Sequence, residues 1–567
     1  MKFNKHLKFL WNEVKQFRSK IFFLIILICV FVPCEATIPF LIKNLLSSVI
    51  EIEKMTSTKN IFILVLLILF IVSIVRVTWF FSDYQGEVLK SMVKGDLRYK
   101  LYQKFLRLPA THLKKRSSGE LLAKATSDVD MIGDIAPFYT ATFHSVVEFL
   151  VGCFVLFKLN VYLSVIFIFT LPIYLLCQNR FKPKMEEKAR HERVSYDSFI
   201  EGLNEGIEAS IVIRLFNKFE YFCSTFQDKI SSWLEKMKDK LFYQILYNSV
   251  TMYIENVLPI VILCLGALLF TIRLVDLPTL IAFFTFVSRM YIPVWNLAFL
   301  FTTIPGTFPS IERIDSLLNE PEELKRTGLS FPEKVNINFK NVYFSYDGGK
   351  EILKDINLEI TPGECIAIVG ATGAGKTSLL LLLTELYKPQ KGEIILNDKA
   401  ISEYALEEIR KNILYVESNP FIFNTSIKEN IFLGEKYDEN IFKEVIEIAQ
   451  LGDFVKDSET NALLLSDGQK QRVNLSRALV KSPTVLLLDE ATSSVDSHTE
   501  ELLLKKVKEK LKNRIIIIVS HRLCTIKNAD RIIVLCEGEI KALGVHEELY
   551  NRCEEYRKLF EKQVIVN

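Results

Sequence analysis

Apolar residues are distributed in two different ways along the chain. Up to about Phe301 they run nearly uninterrupted for a score of residues at a time, whereas beyond Asn319 they form short runs between charged and turn-forming residues. The long runs match the ~20 residues that a helix needs to cross a bilayer. The short ones match buried strands of a layered α/β domain. The pattern therefore predicts an α-helical membrane domain followed by an α/β domain. Spans are expected near Ile21–Ile42, Ile61–Phe81, Ala136–Phe157, Leu159–Gln178, Tyr247–Thr271 and Leu277–Phe301, the third and fourth meeting at Lys158. Polar, turn-prone sequence between Asn319 and Lys334 marks the division, giving a membrane domain over 1–320, a linker over 321–334 and the α/β domain over 335–567.

Basic residues set the expected orientation. The connections Asp83–Ile135 and Asn179–Gln244 are rich in Lys and Arg, while the turns at Lys158 and Arg273 carry one each. Both long connections and both termini are thus expected on the cytoplasmic side of the cell membrane. Met1–Lys20 mixes lysines with Phe3, Phe9, Trp11 and Phe17, as an interfacial amphipathic helix does. A cleaved signal peptide fits less well, because no small-residue cleavage site follows. Glu35, Arg76, His144, Glu148, Glu255 and Arg289 fall inside expected spans. Each costs ~2.5–3.5 kcal/mol at a helix centre, so they should face one another or a cavity. Arg76 and Arg289 read as structural pairs or interfacial residues, and Glu148 and Glu255 as substrate-facing.

Composition adds exclusions. A net charge of +3 over 567 residues gives no footprint for nucleic acid, and mean hydropathy is +0.22. The ten cysteines show no C-x-x-C pair; Cys29, Cys153, Cys177 and Cys264 lie in apolar runs and read as reduced and inert.

The α/β half carries the chemistry. Gly370-Ala371-Thr372-Gly373-Ala374-Gly375-Lys376-Thr377 fits G-x-x-x-x-G-K-[ST], with a buried strand at Glu364–Val369 before it and a Leu-rich helix at Ser378–Leu386 after it. Glycines turn successive N–H groups towards phosphate oxygens, Lys376 reaches the outer phosphates, and Thr377 offers a hydroxyl to Mg²⁺. Val485–Glu490 is an apolar strand ending in two acids, with Asp489 expected to support Mg²⁺ and Glu490 to polarise the attacking water. Arg514–Val519 is another buried strand, leading to Ser520-His521-Arg522, where His521 is placed to contact the γ-phosphate. Strands are also expected at Val335–Phe344 and Ile352–Ile360 around Gly348-Gly349, with Tyr346 a candidate to stack on a purine. Ser466 reads as the N-cap of a helix opened by Leu465-Ser466-Asp467-Gly468-Gln469, a stretch that generic phosphate-loop ATPases lack.

Together these residues resemble the ATP-binding cassette transporters, and the membrane-then-cassette order resembles the half-transporters of the exporter class over essentially the whole chain. Leu465–Gln469 is similar to the family signature, Ser494-Val495-Asp496 to its D-loop, His521 to its switch histidine and Tyr346 to its adenine-stacking aromatic. Leu108–Ile132 and Glu201–Phe222 resemble its two cytoplasmic coupling regions. The resemblance implies a dimer holding two ATPs with Mg²⁺, each bound by one subunit's phosphate loop, through Ser378 and Ser418 as well, and by the partner's Ser466, Gly468, Gln469 and Asp496. Three departures stand out. Ser418 occupies a position that usually holds Gln, Asp467 replaces the signature's first Gly, and Phe454–Leu464 lacks the usual Gly-Glu-rich loop. Because Glu490, His521, Lys376 and Asp489 are intact, the expected activity is ATP hydrolysis driving export by a homodimer. An ATP-gated channel or a degenerate regulatory subunit of a heterodimer is the alternative, and a soluble cassette serving DNA or ribosomes conflicts with six spans. The absence of a peptidase segment argues against combined peptide cleavage and export. Phe283, Phe284, Phe286, Tyr291 and Trp295 suit either an amphipathic drug, lipid or peptide substrate or plain helix packing, and Glu148 with Glu255 points to cationic cargo.

Overall fold

The computed structural model describes residues 2–50, 58–323, 326–346, 348–452 and 461–566. The chain forms two compact units, one of Met1–Tyr102 with Gly119–Asn319 and one of Gln103–Ser118 with Glu320–Asn567.

The first unit is helical. After an N-terminal helix at Lys2–Val14 come Arg18–Ile50, Thr58–Arg107, Phe138–Leu159, Val161–Glu208, Phe219–Thr271, Leu277–Val287 and Tyr291–Leu318. Among the described residues six stretches are long and apolar enough to cross a membrane. The helices far outrun the bilayer: 50 residues in Thr58–Arg107 and 53 in Phe219–Thr271 correspond to roughly 75–80 Å at 1.5 Å per residue, against ~30 Å of hydrocarbon. The apolar segment Leu277–Phe301 is not one uniform helix, because Ser288–Met290 tightens into a 3₁₀ turn. Phe62, Phe70, Leu150 and Phe154 stay exposed on the helices' outer faces, as lipid-facing positions do. Inside, Phe167, Tyr174, Phe283 and Tyr291 are fully buried, and the Tyr291 hydroxyl lies 2.8 Å from that of Thr170. The aromatic residues of the last span thus serve mainly as packing.

The second unit is α/β. Strands β1 (Ile337–Phe344), β2 (Leu353–Ile360), β4 (Lys391–Leu396) and β5 (Lys399–Ala400) form an antiparallel sheet in the order β2-β1-β4-β5. Strands β3 (Cys365–Val369), β6 (Ile413–Val416), β7 (Val485–Asp489), β8 (Ile515–Val519), β9 (Arg531–Cys536) and β10 (Glu539–Gly544) form a second sheet in the order β10-β9-β3-β8-β7-β6. All its pairings are parallel except β9 with β10. Every residue of β3, β7 and β8 is buried, which explains why they lack alternation: both faces are covered. The helix Lys376–Leu383 fills the space between the two sheets with Leu379, Leu380, Leu382 and Leu383. The helices Asp467–Val480 and Ser497–Lys510 cover the other face. Register places Ile368 and Asp489 beside Val519, so the carboxyl ends of β3, β8 and β7 emerge together. Ligands of open parallel sheets bind at that edge.

Candidate nucleotide-binding site

Backbone geometry shows why glycine is needed in the loop after β3. Gly375 has φ +103°, and a Cβ there would stand 2.7 Å from Leu353 Cδ2. At Gly370 a Cβ would fall 2.2 Å from the Leu535 carbonyl oxygen. Lys376 opens the following helix and folds back, its Nζ donating to the carbonyls of Gly370 at 2.9 Å and Ala371 at 3.1 Å. Burial holds its pKa below the usual lysine range, with the charges of Glu490 and Asp489 working against that shift. Ala371, Thr372, Gly373 and Thr377 are exposed, while Ala374 and Ser378 are buried. Tyr346 is half-buried, its hydroxyl 3.1 Å from that of Ser378.

The acids stand beside this loop. Asp489 is buried and accepts a 2.8 Å hydrogen bond from the Tyr415 hydroxyl on β6. The proximity of Asp489 adds to burial in driving the Tyr415 pKa far upward. Glu490 adopts φ +48°, and its N–H donates to Val519 O at 3.0 Å. That turn carries its carboxylate off the strand to within 3.0 Å of His521 Nε2. No group of three His, Cys, Asp or Glu side chains among the described residues surrounds a metal position. The oxygen donors present, the exposed Thr377 hydroxyl and the Asp489 carboxylate, fit a hard cation that takes its other ligands from phosphate and water.

Ser466 caps the helix Asp467–Val480, its Oγ accepting from Gln469 N at 3.4 Å while Gln469 Oε1 accepts from Ser466 N at 2.8 Å. Asp467, 85 % exposed, turns outward and pairs with Lys470 at 3.0 Å; its charge is directed away from the fold. Gly468 lies under the next loop, where a Cβ would meet Ser494 O at 2.7 Å. Asp496 caps the helix Ser497–Lys510 through Thr499 N at 2.9 Å, and that backbone bond keeps its pKa low. Among the described contacts, none joins Ser466, Gly468, Gln469 or Asp496 to the phosphate loop of the same chain. Ser418 is exposed, and its carbonyl accepts from Gln471 Nε2 at 2.7 Å. Phe454–Thr460, most of the segment before the signature, lies outside the described residues.

Several neighbours escaped the sequence reading. Tyr415 contacts Asp489 from a strand 74 positions away, a pairing with no local signal. Lys114 places its ammonium 5.5 Å from the Tyr346 ring centroid and 5.4 Å from that of Tyr387, a cation–π arrangement. Gln471 and Arg522 lie within the signature and switch-histidine stretches, where no sequence pattern assigns either side chain a role.

A cavity of about 300 Å³ lies in the first unit, lined by Glu35, Arg76, His144, Glu148 and Arg289 with Phe31 and Trp79 among the apolar walls. Arg289 pairs with Glu35, and His144 Nε2 lies 3.9 Å from Glu148. Glu255 is absent from this lining and instead accepts a 2.6 Å hydrogen bond from Tyr174. Glu148 thus shares its cavity with two arginines, while Glu255 is engaged by Tyr174.

Comparison with known proteins agrees with this geometry. The family described as "ABC transporter transmembrane region" matches residues 21–294, and that described as "ABC transporter" matches residues 353–493. An ATP-dependent lipid A-core flippase of Legionella pneumophila (strain Paris) is 30% identical over 491 residues, covering 84% of this chain and 83% of that protein. A putative multidrug export ATP-binding/permease protein of Bacillus subtilis (strain 168) is 28% identical over 576 residues, covering 96% and 97%. The fold is that of a bacterial Atm1-family ABC exporter solved with ATP bound, with a TM-score of 0.82 at 21% identity over 96% of this chain and 98% of that one. The chain thus belongs to the ATP-binding cassette transporters, as a multi-pass, ATP-hydrolysing half-transporter of the exporter type.

Proposed function

We propose that two copies of this chain close on two ATP molecules and export an amphipathic substrate from the cytoplasm by alternating access. The observation that carries this reading is the Glu490–His521 pair at 3.0 Å, set where β7 and β8 end beside the phosphate loop. Gly370–Ser378 cradles the triphosphate with backbone N–H groups, Lys376 supplies the cationic charge, and Tyr346 stacks on the base. Glu490 accepts the proton of the attacking water as general base, and His521 orients its carboxylate. Thr377 and Asp489 would hold Mg²⁺, which would supply charge neutralisation to the bound phosphates. Ser418 belongs to the same site through its exposed position after β6. Ser466, Gly468, Gln469 and Asp496 serve the partner's ATP, which accords with the absence, among the described contacts, of any that joins them to the phosphate loop of their own chain. Residues 1–320 act as the membrane domain and 335–567 as the nucleotide domain, with both termini cytoplasmic. The flippase and multidrug names of the relatives and the mixed-charge, aromatic-walled cavity support a substrate that joins an apolar body to a charged group. Glu490→Gln should abolish turnover while leaving ATP binding intact. Wild-type turnover by that variant in purified dimer would overturn the reading, and an absence of Glu490-dependent turnover in the parent would favour a channel or regulatory role.

A further inference from the structure

We propose that Arg522 and Gln471 are positioning residues that hold the loop Ser493–Asp496 in place for the nucleotide of the other copy, linking each ATP site to its neighbour. The proposal rests on the homodimeric reading above. Arg522 directly follows His521. Its guanidinium donates to the carbonyls of Val495 and, at 2.8 Å, Ser493, and to the Glu500 carboxylate at 2.7 Å. Glu500 is 1% exposed and also accepts from the hydroxyls of Thr492 and Thr525, each at 2.8 Å. A buried carboxylate with three donors is a rigid anchor, and the planar fork of arginine suits several acceptors at once in a way that a lysine does not.

The second grip comes from the signature helix. Gln471, 3% exposed, donates to Ser418 O at 2.7 Å and to Ser493 Oγ at 3.0 Å, and its Oε1 accepts from Ser494 N at 2.9 Å. The backbone from Ser493 to Val495 is thus held on one side by the neighbour of His521 and on the other by the helix that Ser466 opens. Asp496 follows at once, fixed as the cap of the next helix. Movement of His521 towards or away from the phosphates of its own site displaces Arg522 and, through its two hydrogen bonds to Ser493 O and Val495 O, the loop that reaches the other site. The network is contiguous and its members are hydrogen-bonded to one another.

The test uses full-length, differently tagged copies, both carrying Glu490→Gln so that ATP remains uncleaved, co-expressed and purified through both tags in lipid nanodiscs. Arg522→Ala is placed in one copy only, and photolabelling with azido-ATP reports which copy retains nucleotide. Label on the unaltered copy, whose ATP depends on the altered copy's loop, should fall about tenfold, the scale of loss when a positioned group is released. Label on the altered copy should change by less than about twofold. Arg522→Lys should recover only part of the loss, and Glu500→Gln, which keeps the side-chain shape, should reproduce the asymmetry. Loss confined to the altered copy, equal loss in both, or no loss would each overturn the proposal. Absence of label in the parent dimer would instead overturn the shared-ATP reading itself, and absence of a doubly tagged species would overturn the homodimer.

Discussion

Gly468→Ala tests whether the contact between the signature helix and the following loop matters for chemistry rather than for folding. The new methyl would stand 2.7 Å from Ser494 O, a backbone atom that cannot swing aside. Ordinary van der Waals separation is about 3.5 Å, so the loop or the helix must yield by roughly 0.8 Å. Gly468 is the second residue of its helix, and alanine there gains up to ~1 kcal/mol in helix propensity. The two effects oppose each other in stability but not in function. We expect thermal unfolding of the full chain in nanodiscs to move by no more than a few degrees. The kcat for ATP should fall ~10–100-fold, because displacements near 1 Å in a catalytic loop cost that much. Steady-state ATPase rates and a melting curve on the same preparation decide the matter. Turnover within about twofold of the parent would refute the claim that this approach is required. A collapse in melting temperature would show that the clash is relieved by unfolding the helix instead.

Other expectations concern charges. Arg326 donates to Tyr404 O at 2.7 Å and holds the buried Glu385 carboxylate at 2.5 Å; Arg326→Ala should destabilise the second unit by about 3–5 kcal/mol, read as a lower melting temperature that adding Glu385→Gln partly restores. Arg289→Ala strands Glu35 within the membrane unit and should lower thermal stability more than the double change with Glu35→Gln does; equal losses would show that the pair is not coupled. Hydrogen bonding from Arg116, opposed by burial and helped by His112, holds the Glu320 pKa below its ordinary value. A carboxylate lowered in the folded state adds stability above its unfolded pKa of about 4.3 and loses it as pH falls through the folded value. Melting temperature should therefore drop more steeply below about pH 4.3 in the parent than in Glu320→Gln, and parallel curves would contradict this.

Much of the architecture is legible because its determinants are local. The phosphate loop, the apolar strands ending at Asp489 and Val519, and the six spans each announce themselves within a window of about twenty residues. What stays hidden depends on pairings between distant segments. Tyr415 meets Asp489 only because β6 lies beside β7, a neighbour relation that no local run of residues specifies. Glu255 and Glu148 look alike in sequence, yet Tyr174 engages one and an arginine-containing cavity the other. The grouping of Gln103–Ser118 with the second unit likewise follows from packing, with Ala110 set against the core of the nucleotide domain. Asp467 is legible as an anomaly whose charge has reason to turn away, and its pairing with Lys470 three residues on supplies the outward direction.

The helix Thr58–Arg107 contains no proline, whereas Arg18–Ile50, Val161–Glu208, Phe219–Thr271 and Tyr291–Leu318 each carry at least one. An uninterrupted helix keeps count: one inserted residue rotates everything beyond it by about 100° and advances it 1.5 Å. Lys94, Arg98 and Lys100 on this rod reach Asp134, Asp130 and Glu13, and a single-residue insertion above them would point all three cations elsewhere at once. Gains and losses of length in this chain's history should therefore fall in its turns and leave that rod's numbering untouched.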